Sequence, residues 1–242
     1  MNLYFSGVAS LKEAGMLKDA GITNVLADPF DWPNTVGFPC RVLDSGAYRM
    51  WKSGKGMDPD SYVRFAKERS EKALWCTMPD IFGDPEGTYR AWQRYRVHGF
   101  LVPVWFWGSD KKFLNRYLDD RELVGIGGLV PLMRQKDGRM LDELEALCAM
   151  YPRRFHLFGA NWLQAIEKLM PLVASIDTSK WLDACRYGHV IFQNTRTRHL
   201  SQAPARALKL DWDRRKRAVE SAREMVRFCE GELATGECGV KA

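Results

Sequence analysis

The chain alternates from end to end between short β-rich apolar runs and longer amphipathic stretches, and this constrains its fold more than any other feature. The runs cover residues 3–6, 24–27, 41–44, 73–78, 100–106, 123–129, 155–158 and 173–177. They are continuously apolar, as strands buried on both faces of a parallel sheet are. Between and after them the helical period predicts helices over 11–20, 59–72, 85–98, 111–118, 141–150, 162–170 and 180–187, then a long basic helix over 213–230. Asp58 followed by Pro59 is a strong helix start. Eight strands separated by helices predict an α/β fold, a single (β/α)8 TIM barrel over residues 1–242 with a basic C-terminal loop and helix at 194–230. An open doubly wound sheet is the rival. It lacks its glycine-rich phosphate turn, because Gly125-Ile126-Gly127-Gly128 lies inside a strand run rather than after one.

At 242 residues and 46% hydrophobic, the chain is long enough to bury one large core. No apolar run is long enough to span a bilayer and no signal-peptide pattern opens the chain, so the expectation is a cytoplasmic protein (host cytoplasm if phage-encoded) with no membrane partner. The opening MNLYFSG is similar to a protease-site tag, but it is read as native because it supplies the first strand. Six scattered cysteines without C-x-x-C spacing read as reduced thiols.

The formal net charge of +6 is concentrated. Residues 194–227 hold ten Lys and Arg against four acids, so this segment alone carries the excess and the remainder balances. Such a patch suits a polyanion, with Arg196, Arg198, Arg206, Arg214, Arg215 and Arg217 as the candidates to hold a phosphate backbone. A solvated amphipathic helix explains the same charge.

In a barrel of this kind, function is built at the C-terminal ends of the strands. Those ends read Asp44-Ser45-Gly46-Ala47-Tyr48, Met78-Pro79-Asp80, Val104-Trp105-Phe106-Trp107-Gly108, Gly127-Gly128-Leu129, Phe158-Gly159 and Ile176-Asp177-Thr178-Ser179. Three carboxylates therefore face one mouth. A pair of carboxylates suits chemistry at a sugar carbon, one attacking the anomeric centre while the other moves a proton to or from the leaving group. Adjacent glycines let a flat ligand reach the backbone, and Tyr48, Trp105, Trp107 and Phe158 offer stacking faces. Plainer roles exist for each. Asp80 and Asp177 suit helix N-caps, Asp44 before Ser-Gly suits a tight turn, and the tryptophans suit packing. None of the four histidines is needed, and His156 reads as a satisfied interior residue.

The motifs DSGAY at 44–48, MPD at 78–80, GIGGLVP at 125–131, HLFG at 156–159 and SIDTSKW at 175–181 stand at successive strand ends. In this order they resemble the tRNA-guanine transglycosylase superfamily, over roughly residues 1–190, and look closest to its phage and bacterial DNA-modifying branch. The resemblance implies that Asp177 is the nucleophile and Asp44 the general acid/base. It further implies that Asp80 reads the purine edge, with Ser45, Gly46, Tyr48, Trp105, Gly127, Gly128, Leu129, Phe158 and Gly159 around the base. The implied reaction exchanges guanine in DNA for a 7-deazaguanine such as 7-cyano-7-deazaguanine, through a covalent glycosyl–enzyme intermediate and without a cofactor. The target base must be flipped out or single-stranded. A homodimer is a further implication, with no interface legible in the sequence.

The chain also departs from the family. Cys185-x-x-x-His189 and Cys229…Cys238 do not reproduce the grouped zinc ligands of the tRNA enzymes, so no metal is expected. Ala47 stands where the family has a second glycine, and Val104-Trp105 replaces a glutamine-glycine-glycine. Two alternatives use the same carboxylates, a tRNA substrate and a hydrolytic nucleosidase or N-glycosidase. A third is a non-catalytic barrel that binds nucleic acid through its basic segment.

Overall fold

The computed structural model of the chain describes residues 2–236. Its strands are β1 (Asn2–Phe5), β2 (Asn24–Ala27), β3 (Cys40–Leu43), β4 (Trp75–Thr77), β5 (Leu101–Val102), β6 (Val104–Phe106), β7 (Val124–Gly127), β8 (Phe155–Leu157), β9 (Ser175–Thr178), β10 (His189–Gln193) and β11 (Leu200–Pro204). Its helices are α1 (Leu11–Asp19), α2 (Ala47–Lys52), α3 (Pro59–Lys67), α4 (Pro85–Tyr95), α5 (Lys111–Asp120), α6 (Leu129–Gln135), α7 (Gly138–Met150), α8 (Leu163–Leu169), α9 (Lys180–Arg186) and α10 (Arg214–Gly236).

Nine of the strands form one parallel sheet in the order β5-β4-β3-β2-β1-β9-β8-β7-β6, a nearly closed, barrel-like arrangement. Its two outermost strands, β5 and β6, are consecutive in the chain and separated only by Pro103. Met78 N–H donates to the Val102 carbonyl on one side at 2.9 Å, and Gly125 N–H donates to the Pro103 carbonyl on the other at 2.8 Å. Proline has no N–H to give back, which interrupts the ladder at that point. β10 and β11 form a separate antiparallel hairpin.

Strand alternation sorts the side chains into two cores. Tyr4, Leu26 and Val42 form a small cluster inside the sheet, with Trp75 and Phe158 against it. Their chain neighbours Leu3, Phe5, Val25, Ala27 and Leu43 belong to the large cluster shared with the helices. Tyr4 lies in register with Asp177, and His156 with Ser175, so the polar residues of β8 and β9 stack on the inner side.

Several expectations need correction. β2 has the expected bounds and β1 and β3 are each shifted by one residue, whereas the runs 73–78, 100–106 and 123–129 reach beyond the strands they contain. α2 and α6 were not expected. Each opens on a left-handed glycine, Gly46 (φ 79°) or Gly128 (φ 77°), soon after a strand, and the second turns the chain into helix at Leu129, where an extended run was read. Leu129 is therefore the first residue of α6 and fully buried in the outer core. The stretch 194–210, expected as a loop, contains β11 and a short 3-10 turn (Ala205–Leu208).

The basic segment divides in two. Arg215 pairs with Asp19, while Arg217 donates to the carbonyls of Trp212 and Cys185. Both brace α10 against the rest of the chain, which corrects their expected role as a phosphate grip. Arg196, Arg198, Arg206 and Arg214 are exposed, and their side chains make no ion pair or hydrogen bond among the described residues. Five cysteines are free thiols, and Cys238 lies outside the described residues. Among the described residues no helix is long and apolar enough to cross a membrane.

Arg217→Ala should lower unfolding free energy by about 1–3 kcal/mol, since it takes the guanidinium donor from the Trp212 carbonyl and one of two donors from the Cys185 carbonyl. Arg196→Ala should stay within about 0.5 kcal/mol, as exposed substitutions do. Denaturant titration of the two variants measures the difference.

Candidate active site

Two adjoining cavities open at the C-terminal ends of the strands. The first is lined by Asp44, Ser45, Ala47, Tyr48, Asp80, Phe82, Val104, Phe106, Gly127, Gly128, Val130 and Phe158. The second is lined by residues that include Ser6, Asp28, Asp31, Asp44, Tyr48, Arg49, Val130, Arg134, Phe158, Gly159, Asn161 and Asp177. Asp44, Tyr48, Val130 and Phe158 line both, so Asp44 stands at the junction with Asp80 on one side and Asp177 on the other.

The backbone fixes these carboxylates. Asp44 follows the last residue of β3 and accepts Gly46 N–H at 3.1 Å, the tight-turn bond that Asp-Ser-Gly suggests. Asp80 is buried and accepts a short hydrogen bond from the Ser45 hydroxyl, and Ser45 Oγ in turn accepts Ala47 N–H at 3.1 Å. Asp177 lies within β9 and is 4% exposed, with Oδ1 accepting Gly159 N–H at 2.7 Å. It caps no helix, because Ser179 precedes α9. The N-cap before α4 is Asp84, not Asp80.

Burial pushes the Asp44 carboxyl well above the usual carboxylate range, and the neighbouring charges of Asp80, Asp28 and Asp177 push it further. Burial also raises Asp80, to about 6, with the Ser45 hydroxyl opposing. Asp28 is raised by burial and by Asp31, although Arg49 and two backbone N–H groups hold it down. Arg49 grips both of these acids, its Nε 2.8 Å from Asp28 and its two terminal nitrogens 3.0 and 2.6 Å from Asp31. The site therefore mixes carboxyl groups of different proton affinity in one enclosure.

Beneath Asp177, His156 is fully buried, with Nδ1 2.7 Å from Ser175 Oγ and Nε2 3.6 Å from Asp177 Oδ1. Nε2 has no hydrogen-bond partner, so the expectation of a satisfied interior histidine is half right. The ring is enclosed edge-on by Phe158, Trp75 and Tyr4, with centroids at 4.4, 5.0 and 6.1 Å.

The glycines make room. A Cβ on Gly125 would stand 2.4 Å from the Phe158 ring, and one on Gly127 would stand 3.0 Å from Val104. Trp105 is corrected as a base contact. Alternation along β6 sends Val104 and Phe106 into the cavity and Trp105 outward, where it packs edge-on against Trp107 and donates to the Asp110 carbonyl at 3.3 Å. The Leu129 side chain is likewise not in the cavity; Val130 lines it instead.

None of the six expected backbone-gripping arginines lines either cavity. The cations at the mouth are Arg49 and Arg134. Sequence reading also missed Asp28, Asp31, Phe82 and Asn161. Asn161 Oδ1 accepts the Thr178 hydroxyl and the Ser179 N–H, both at 2.9 Å. Asp28 and Asp31 follow β2, whose end, like that of β1 with Ser6 and Gly7, carries polar residues at the same mouth. Among the described residues, no three His, Cys, Asp or Glu side chains are grouped to hold a metal ion.

Comparison of the chain with protein-family models and with curated proteins finds no match in either.

With the Asp80 carboxyl raised to about 6, the folded state holds its proton more tightly than the unfolded chain does. This group therefore stabilises the fold at low pH, and the contribution is lost as pH rises from about 4 to about 6. Asp80→Asn removes that dependence. Its stability relative to wild type should climb by up to about 3 kcal/mol between those pH values and stay level above them, as measured by denaturant titration at each pH.

Proposed function

We propose that this chain is a base-exchanging transglycosylase of the tRNA-guanine transglycosylase type, acting on guanine in a polynucleotide, DNA in preference to tRNA. The fold reads as a (β/α)8 barrel when residues 101–106 are counted as one strand across Pro103, which makes eight around the barrel. The observation that carries the reading is the sharing of one cavity by Asp44 and Asp177, continuous with an aromatic-walled pocket that holds Asp80.

The purine occupies that pocket among Tyr48, Phe82, Phe106 and Phe158, and its sugar lies in the adjoining cavity beside Asp177. Gly159 and His156 are both directed at Asp177 Oδ1, which leaves Oδ2 without a hydrogen-bond partner among the described residues. Oδ2 attacks the anomeric carbon, the bond to the base nitrogen breaks, and its electron pair leaves with guanine. Asp44, held protonated by burial and by its acidic neighbours, gives guanine the proton it needs. An incoming 7-deazaguanine returns a proton to Asp44 as its ring nitrogen displaces Asp177 from the sugar. Asp80 accepts hydrogen bonds from the N–H groups on the purine edge. No cofactor enters this scheme. His156 is a positioning residue. With Ser175 donating to Nδ1, its Nε2–H points at Asp177 Oδ1 and orients the carboxylate.

Labelled guanine should enter DNA in the presence of the protein, more readily than tRNA, and Asp177→Asn should abolish this. Release of free guanine without replacement would instead identify a hydrolase, and no exchange with either polymer would refute the proposal. Asp44 must be protonated when guanine leaves, so the exchange rate should fall as pH rises through its elevated pKa. Asp44→Asn should lose both the rate and that alkaline limb. His156→Phe should slow exchange about tenfold to a hundredfold, the cost of an outer partner around a working group. It should leave KM within about twofold, since His156 itself does not line the base pocket and phenylalanine keeps a ring against Phe158.

A further inference from the structure

The aromatic lining of the purine pocket does not stop at its rim. Phe106 meets Phe82 edge-on at 5.6 Å, Phe82 meets Tyr48 at 5.2 Å, and both meet Trp51, Phe82 at 4.7 Å and Tyr48 at 5.9 Å. Three of these residues line the cavity, whereas Trp51 does not and is 55% exposed. The short helix α2 explains the arrangement. Tyr48 and Trp51 are three residues apart and share a helix face, with Trp51 about 4.5 Å further along the axis. The indole is inclined 40° to Phe82 and 31° to Tyr48, so two buried-side rings fix its orientation while its other surface is left to solvent.

An aromatic ring held this way beside a base pocket is a stacking platform, because every nucleobase presents a π-face to it. Charge points to the same partner. From Ser45 to Met57 there is no acidic residue, while Arg49, Lys52 and Lys55 stand within that stretch. Arg49 is committed to Asp28 and Asp31, but Lys52 and Lys55 are exposed and make no ion pair among the described residues. An apolar surface for another protein would have no use for two unpaired lysines in the four residues after its exposed aromatic. Phosphates on either side of a stacked base would.

We infer that Trp51 is a subsite for the nucleobase adjacent to the reacting one in a single-stranded or opened strand, with Lys52 and Lys55 contacting the neighbouring phosphates. This deepens the base-exchange reading and rests on it for the identity of the reacting nucleotide. It makes the substrate a polymer, since a free nucleoside has no second base to place there.

The probe is a single-stranded DNA oligonucleotide carrying 2-aminopurine next to a single guanine, titrated with the full-length protein while guanine exchange is assayed in parallel. Wild type should quench the 2-aminopurine on binding. Trp51→Ala should weaken binding about tenfold, in the range that loss of one stacked base produces, and should abolish the quench. Trp51→Phe should retain most of both. Lys52→Gln with Lys55→Gln should flatten the salt dependence of binding without removing the quench. Circular dichroism and thermal melting check that each variant is folded. Equal binding and quenching by Trp51→Ala and wild type, with exchange intact, would overturn the subsite and leave the base-exchange reading standing. Trp51-dependent binding and quenching without any exchange would sink that reading and keep the subsite. A Trp51-dependent self-association of the protein, with strand binding unchanged in Trp51→Ala, would assign the surface to a second copy of the chain and overturn the proposal.

Discussion

The organising constraint in this molecule is the cost of placing like charges together out of water. Asp28, Asp44, Asp80 and Asp177 crowd the C-terminal ends of the parallel strands, and each raises the cost of ionising Asp44 or is itself raised by burial. A fold selected for stability alone would replace such groups with apolar side chains. Their neighbours here manage the charge rather than remove it. Arg49 neutralises the Asp28–Asp31 pair, the Ser45 hydroxyl serves Asp80, and the Gly159 N–H serves Asp177. Among the described residues Asp44 accepts only the Gly46 N–H, which makes it the group most easily kept protonated.

This division of labour follows from where the chain turns. Gly46 and Gly128 both take a left-handed conformation soon after a strand and start a helix on the mouth side. A Cβ on Gly46 would come within 3.3 Å of Asp28, so the close approach of β2's acid to β3's turn depends on glycine there. Gly125 performs a packing role instead, admitting the Phe158 ring that separates the two cavities and covers His156. The positions of the acids, the aromatic walls and the buried histidine are thus one packing solution.

Much of this was legible in the sequence. Continuous apolar runs marked the buried parallel strands, and the carboxylates at 44, 80 and 177 stood out because polar residues after such runs fall on one rim. What was not legible depends on orientation. Trp105 looked like a stacking face because its neighbours do line the cavity, and only the two-residue alternation of β6 turns it away. Leu129 looked like the end of a strand because nothing in Gly127-Gly128-Leu129 announces that the second glycine is left-handed. Arg215 and Arg217 looked like a polyanion grip because local charge density does not reveal that Asp19 and two backbone carbonyls already hold them. The orphaned Nε2 of His156 was beyond reach for the same reason, since its environment is assembled from three other strands and the residue that follows its own.

Base exchange by the proposed route requires the side chain at 177 to become bonded to sugar while the one at 44 handles the proton. Acid quenching during turnover on guanine-containing DNA, followed by proteolysis and mass mapping, tests this directly. The expected result is a sugar-linked mass on the peptide that contains Asp177 and on no other, discharged when excess guanine is added before quenching. An adduct carried by a different residue, or steady exchange with no adduct at any time point, would contradict it.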